Sequence, residues 1–269
     1  MKDGHIHSPY CPHGSSDRFE QYIKKAIEVG VMVMTFTEHF PLPKNFKDPS
    51  PENDSAISED HLLAYFNELK ELKEKYKHNI KINIGVEVDY IEGYEKEIKE
   101  MLDKYGEYID DSILSVHMIK INDEYHLIDY SPEKFGELVD LLGSIENVYY
   151  KYYDTVKMAV NSDLGRYKPR RIGHLNLVRK YNKIYPYDYR GNEKLEEIVR
   201  IVKSKDYELD FNVSGYRKPY CNEAYIDGYL LKLVRDYNVK TILGSDSHTH
   251  DTVGYKMKEY NRLMEELQF

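Results

Sequence analysis

Residues 59–88 read EDHLLAYFNELKELKEKYKHNIKINIGVEV, and the change of period inside them decides the fold. From Glu59 to Tyr76 apolar side chains return at three- and four-residue spacing, Leu63, Phe66, Leu69 and Leu72 among them, which predicts a helix with one buried stripe. From Ile80 to Val88 the chain turns to a short β-type run that ends on a carboxylate, in Gly85-Val86-Glu87. Such alternation runs the length of the chain. Strands are predicted at His5-Ile6-His7, Val31 to Phe36, Ile80 to Val88, Ile113 to His117, Arg171 to His174, Tyr207 to Asn212 and Lys240 to Gly244. Helices are predicted over Asp17 to Val29, Tyr94 to Lys104, Pro132 to Asn161, Glu193 to Ser204 and Glu223 to Tyr237, with a closing helix from about Thr252. Strands alternating with helices imply a parallel sheet. Seven such units predict a closed or nearly closed α/β barrel, one unit short of the eight-unit form.

The 269 residues suit one large domain spanning 1–269, with no linker or composition break to divide it. A formal net charge of -9 argues against a nucleic-acid surface, which would carry basic stripes. An acidic chain can still bind an anion where bound cations reverse the local field. The two cysteines, Cys11 and Cys221, lie far apart; they form no disulfide framework and fit a reducing cytosol. The opening Met1-Lys2-Asp3-Gly4-His5 has no apolar region behind a basic start. No run approaches the roughly 18 apolar residues of a membrane helix, so a cytoplasmic location is expected. The stretch Pro41 to Ser58, with four prolines, is the longest irregular one. It follows a strand end and would overhang the mouth of a barrel, as a lid or as a plain surface loop.

Eleven histidines are present, and their placement carries the functional information. His5 and His7 end the first strand, and a two-residue step points both side chains to one face. His39 follows the second strand, Glu87 ends the third, His117 the fourth and His174 the fifth, while Asp246 and His248 follow the seventh. In a parallel barrel the C-terminal strand ends converge on one mouth, where catalytic groups sit. Imidazoles and carboxylates gathered there suit zinc, manganese or iron, and the missing cysteine pair argues against a closed structural zinc site. His61, His78 and His126, the last in a charged, hairpin-like stretch, read as surface residues, and His250 is ambiguous beside His248.

At these residues the sequence resembles the PHP (polymerase and histidinol phosphatase) family, in its histidinol-phosphatase branch. The resemblance is carried by His5-Ile6-His7-Ser8 with Cys11-Pro12-His13-Gly14, Phe36-Thr37-Glu38-His39, Ser115-Val116-His117, Ile172-Gly173-His174, Asn212-Val213-Ser214-Gly215-Tyr216-Arg217 and Gly244-Ser245-Asp246-Ser247-His248, in that order. It implies a distorted (β/α)7 barrel of TIM type holding three divalent ions. By that resemblance His5, His7, Glu87 and Asp246 bind the first, Glu87 bridges to a second completed by His117 and His174, and His13, His39 and His248 bind the third.

The implied activity is hydrolysis of L-histidinol phosphate, a small phosphate ester, by a hydroxide bridging two of the metals. Asp246 or His248 would protonate the departing alkoxide. Arg217 is the chosen phosphate contact, since a guanidinium fork fits phosphate; Arg166 and Arg171 rank below it. Glu38 would orient His39 or face solvent, and Cys11 reads as a small apolar lining residue rather than a ligand. The alternatives are a PHP phosphoesterase acting on another small phosphomonoester or a nucleotide, an amidohydrolase-type barrel, and a non-catalytic metal-binding module. The sequence leaves the metal and the oligomeric state open.

Overall fold

Hydrophobic runs buried on both faces set the centre of the molecule. Eight of the nine residues of β3 (Lys81–Asp89) are buried, as expected of a parallel strand covered on both sides. The structure, a computed structural model, describes residues 1–267. Seven parallel strands follow in the order β1 (Lys2–Ile6), β2 (Val33–His39), β3, β4 (Asp111–Ser115), β7 (Arg171–Ile172), β8 (Glu208–Asn212) and β9 (Thr241–Gly244). Helices α1 (Phe19–Glu28), α2 (Glu59–Lys75), α3 (Glu95–Tyr105), α6 (Glu193–Ser204) and α7 (Gly228–Asp236) connect them. The helical expectations at 17–29, 94–104 and 193–204 agree with these to within about two residues, the usual uncertainty at helix ends.

The barrel is nearly closed. Between β1 and β9 there is no full ladder, only an isolated bridge of Ile6 with Ser247 at the C-terminal end, where Asp246 N–H donates to the His5 carbonyl (2.7 Å) and His7 N–H to that of Ser247 (2.9 Å). Lower in the seam the buried Asp3 carboxylate accepts from the N–H groups of Ser245 (3.0 Å) and Gly254 (2.8 Å). A side chain thus stands in for missing strand hydrogen bonds.

Four local expectations are corrected. The helix over 132–161 is two helices, α4 (Pro132–Leu142) and α5 (Ile145–Asn161). Gly143 at φ 82 ends the first, and the Ser144 side chain caps the second by accepting from Asn147 N–H. The buried stripe of α2 is Leu62, Tyr65, Phe66, Leu69 and Leu72, whereas Leu63 faces solvent. Helix α7 starts at Gly228, capped by Asp227, because residues 223–227 fold as a loop that buries Ala224, Tyr225 and Ile226. The closing helix α8 (Met257–Leu267) begins after a 3-10 turn at His250–Thr252. An antiparallel hairpin, β5 (Met118–Ile121) with β6 (Glu124–Leu127), is inserted after β4. Asn122 and Asp123, both at positive φ, make its turn.

At the opposite end of the barrel from the strand C-termini lies Arg171, fully buried at the start of β7. It donates to Asp111 Oδ2 (3.1 Å) and to the Gly4 carbonyl (2.8 Å). That position removes it from any substrate, and Arg166 is an exposed residue beside Glu107 and Tyr167. Asp111 keeps a second partner in Lys2 (2.9 Å), but the buried Gly4 carbonyl would lose the Arg171 donor, so Arg171→Leu should lower stability by about 2 kcal/mol. Urea unfolding would measure it; a change below about 0.5 kcal/mol, the size typical of surface substitutions, would refute this role.

Candidate metal centre

Strand ends build the mouth. The register of β2 with β3 sets His39 beside Glu87. His5 and His7, two residues apart, share a face with ring centroids 5.3 Å apart. His117 and His174 lie just past β4 and β7, and Asp246 and His248 just past β9. Close approach of these ends needs glycine at two points: a Cβ on Gly173 would stand 2.0 Å from Ser115 Oγ, and one on Gly244 2.0 Å from Asp210 Oδ1.

Glu87, 1% exposed, sits at the centre. Its Oε1 accepts from Ser115 Oγ (2.6 Å) and lies 3.0 Å from His174 Nε2. Its Oε2 lies 3.3 Å from His5 Nε2, 3.4 Å from His39 Nδ1 and 3.5 Å from His7 Nε2. The two oxygens therefore face two different groups of imidazoles, the arrangement a carboxylate needs to bridge two cations. Asp246 Oδ1 completes the first group, 3.2 Å from His7 Nε2 and 3.7 Å from His5 Nε2. Asp246 holds φ 52, a left-handed conformation uncommon outside glycine, and such backbone outliers concentrate at functional sites. His117 and His174 point their Nε2 atoms at each other, 3.1 Å apart.

The donor set fits divalent ions. Both ring nitrogens of His7 and of His39, and Nδ1 of His174, are buried with no hydrogen-bond partner. Buried polar atoms left so are rare in folded proteins unless an ion or water serves them. Three sets have ligand atoms all within 4.8 Å of one another: His5, His7 and Glu87; Glu87, His117 and His174; and His7, Cys11, His39 and His248. Two of the expected groupings are thus brought together. Of the third, His39 and His248 stand together with His7 and Cys11, and His13 stacks beside them, its ring 5.2 Å from that of His248. His13 is an exposed rim residue, its ring 4.9 Å from that of His39, with Nδ1 donating to the Asp54 carbonyl (2.9 Å).

Acidic side chains that sequence reasoning missed hold the imidazoles. Asp210 Oδ2 lies 2.8 Å from His5 Nδ1, and Asp89 Oδ1 2.6 Å from His117 Nδ1. Asp89 stands two residues beyond Glu87 on β3, and Asp210 two before Asn212 on β8, so a two-residue period extended from the motif residues would have found both. Glu38, which accepts from Ser8 N–H (2.8 Å), also turns inward, 3.6 Å from His7 Nδ1, and not to solvent.

The electrostatics follow from this company. Burial pulls His5 and His117 down, but their carboxylate neighbours push each up to about 10: Glu87, Asp210 and Asp246 for His5, Asp89 and Glu87 for His117. Against burial, His5 and His174 hold Glu87 well below the ordinary carboxylate range. Burial and the neighbouring His7 keep His39 and His248 well below the imidazole range, hence neutral with free lone pairs. The cluster attracts cations, as protons or as metal.

Above it opens a cavity of about 520 Å³, with Lys180, Arg217 and Lys218 and also Glu52, Asp54 and Asp129 among its lining residues. Arg217 is anchored through Nη2 to the carbonyls of Ser245 (2.7 Å) and Asp246 (3.1 Å), leaving Nη1 without a partner. Lys180 is held by Asp129, through its carbonyl (2.7 Å) and Oδ2 (2.8 Å). The stretch 41–58 contributes Ser50, Glu52, Asp54 and Ser55 to the wall and so overhangs the site. Neither exposed His61 on α2, exposed His78 beyond it, nor His126 on β6 joins the cluster, and His250 pairs with Asp17 (2.8 Å).

Residues 3–214 match the PHP domain. The histidinol-phosphatase of Bacillus subtilis (strain 168) is 42% identical over 263 residues, 96% of this chain and 97% of its own. The solved structure of a Listeria monocytogenes protein assigned the same activity superposes with a TM-score of 0.93 at 34% identity, covering 97% of this chain and all of that one. Histidinol phosphate phosphatase from Lactococcus lactis, crystallised with zinc, L-histidinol and phosphate, superposes with a TM-score of 0.71 at 23% identity, covering 100% and 94%. Among the described residues, no helix is long and apolar enough to cross a membrane.

Carboxylates that orient metal-binding imidazoles typically govern affinity by 10–100-fold. Asp210→Asn should weaken divalent-ion binding by about that factor, read by competition with a chelator. Unchanged affinity would show that His5 needs no such partner.

Proposed function

The chain belongs to the PHP family, and on that premise we propose that it hydrolyses L-histidinol phosphate to L-histidinol and phosphate. The observation that carries the reading is Glu87 buried between two imidazole groups on the floor of a cavity with a cationic wall, in a chain 42% identical to a histidinol-phosphatase along nearly its whole length.

When bound, divalent ions supply a water-derived nucleophile near neutral pH and positive charge for the phosphoryl oxygens. His5, His7, Glu87 and Asp246 would hold one ion, Glu87, His117 and His174 a second, and His39 and His248, with His13 at the rim, a third; zinc, manganese and iron all suit these donors. Arg217, with Nη1 free and Nη2 fixed, presents a preset donor to a phosphate oxygen. Lys180, oriented by Asp129, adds a point charge nearby. Of the two residues considered for protonating the alkoxide, neither carries an acidic proton as placed: His5 and His7 keep Asp246 ionised against burial, and burial with His7 keeps His248 neutral. The proton is therefore better supplied by water at the open cavity, with the cationic lining offsetting the charge of the departing alkoxide.

The other end of the substrate carries an amine and an imidazole, and the wall contributed by residues 41–58 is acidic. Ser50 Oγ donates to Asp54 Oδ1 (2.7 Å), and Tyr130 O–H reaches both Glu52 oxygens (3.1 Å each), so both carboxylates are held in place. This gives the overhanging segment a recognition role, its acidic groups meeting the cationic part of the substrate while Arg217 and Lys180 meet the phosphate.

Phosphate release measured as kcat/KM across L-histidinol phosphate, phosphoserine, phosphotyrosine, a nucleoside monophosphate and an aryl phosphate should favour the first by about two orders of magnitude, roughly 3 kcal/mol of transition-state binding. A flat panel would withdraw the substrate. Glu87→Ala and Asp246→Ala should each abolish turnover, and unchanged rates with intact metal content would sink the mechanism. Glu52→Gln should raise KM for L-histidinol phosphate several-fold and leave an aryl phosphate unaffected; equal effects on both would remove Glu52 from recognition.

A further inference from the structure

An ester oxygen on an alkyl chain departs as a strong base, and a positioned proton donor typically speeds such a step by about 10²–10⁴-fold. Neither Asp246, held ionised, nor His248, held neutral, has a proton to give. Three cationic side chains line the cavity, and two of them are committed: Arg217 Nη2 to the carbonyls of Ser245 and Asp246, and Lys180 to Asp129. Lys218 is the remaining one, and its ammonium has no hydrogen-bond or ion-pair partner among the described residues.

The backbone at Lys218 is fixed while its side chain is free. The residue follows the 3-10 turn Ser214–Arg217; its N–H donates to the Gly215 carbonyl (3.1 Å), its carbonyl accepts from Cys221 N–H (3.1 Å), and Pro219 comes next. One short turn thus delivers a pinned guanidinium and, beside it, an ammonium on a flexible stem. Burial, and then the charge of Lys180, push Lys218 below the ordinary lysine range, which makes it a readier proton donor. The two acids that act on it are already engaged, Asp129 with Lys180 and Asp246 with His7. In-line displacement puts the departing oxygen opposite the attacking one. With the nucleophile generated at the floor beside Glu87, the departing oxygen faces the open cavity that Lys218 lines.

We propose that Lys218 is a catalytic residue whose ammonium donates to the ester oxygen as it departs. The P–O bond breaks with its electron pair passing to that oxygen, which takes the proton from Nζ and leaves as the alcohol. The proton released when water became the nucleophile returns through cavity water to the lysine, so none is gained or lost over a turnover. Water remains the source of the proton, and Lys218 is its last carrier. The proposal rests on the hydrolysis of an alkyl phosphate, as in the function proposed above.

Leaving-group chemistry tests it. In the full, metal-loaded chain, Lys218→Met should lower kcat for L-histidinol phosphate by about 100-fold with KM little changed. The same variant should alter kcat for p-nitrophenyl phosphate, whose acidic phenol departs without a proton, by less than about threefold. That retained activity also shows the variant to be folded. Lys180→Met should slow both substrates alike, because a charge on the phosphoryl oxygens acts whatever departs. Inhibition by inorganic phosphate, which has no leaving group, should be unchanged in Lys218→Met. Equal losses on both substrates, no loss on either, or weakened phosphate inhibition overturns the proposal. If Lys218→Met does not fold, a series of alkyl and aryl phosphates on the unaltered chain decides: kcat/KM should fall only shallowly as the leaving alcohol becomes more basic, and a steep fall overturns the proposal. Failure of the substrate reading is distinct, since the unaltered chain then shows no preference for L-histidinol phosphate and the comparison moves to whichever alkyl phosphate it hydrolyses. A chain that hydrolyses no alkyl phosphate withdraws both.

Discussion

A carboxylate withdrawn from water must be met by positive charge, and Glu87 imposes that requirement on everything around it. Isolated in a low-dielectric interior, an ionised carboxylate costs many kcal/mol, and a protein ordinarily protonates it, pairs it or gives it to a metal. Here the pairing is with imidazoles, each able to carry a proton or yield a lone pair. Because Glu87 lies on β3 beside His39 on β2, with Ser115 of β4 donating to it on the other side, its neighbours come from successive strand ends. No local segment could supply them. The barrel is what brings them together.

The ring of acids behind the imidazoles follows from the same requirement. Asp210 and Asp89 orient His5 and His117 and add negative charge to a buried region that already holds Glu87, Glu38 and Asp246. Such an excess is unfavourable for an empty cavity and favourable for one that receives multivalent cations. The backbone makes room for it. Glycine at 173 and 244 lets Ser115 and Asp210 come within distances any side chain would block, and the strand seam closes through Asp3 rather than a ladder. Loose closure between β1 and β9 leaves space at the mouth where Asp246 adopts its left-handed conformation.

Sequence reasoning could see the barrel because parallel strands buried on both faces read as apolar runs, and long amphipathic helices separate them. It could see the cluster because ligand-type residues stand at the ends of six of the seven predicted strands, one or two at each. What it missed has physical causes. The break at Gly143 is a two-residue event inside a pattern that is helical on both sides, and the choice of Leu62 over Leu63 for the buried face depends on a rotation that spacing alone does not fix. Residue type alone does not separate the buried Asp89 and Asp210 from surface carboxylates; only the two-residue period carried one step beyond Glu87 and Asn212 places them on the inner face.

The overhanging segment shows how these levels connect. It leaves β2 directly at the site, with Phe40 N–H donating to the Glu87 carbonyl (2.8 Å), and it returns to the site where Ile57 N–H reaches the His39 carbonyl (3.3 Å) and the Asp54 carbonyl accepts from His13. Its two ends are thus fastened to backbone that carries the metal-binding candidates, while its middle presents Glu52 and Asp54 to the cavity. A displacement of the middle would be felt first at His13, which depends on the Asp54 carbonyl, and last at Glu87, which strand pairing holds on both sides. The imidazole groups around Glu87 are therefore insulated by the sheet from the wall that residues 41–58 build, and the rim histidine His13 is not. Rigidity and adaptability are divided by depth, with the strand-held Glu87 cluster at the floor and the loop-borne acids Glu52 and Asp54 at the edge.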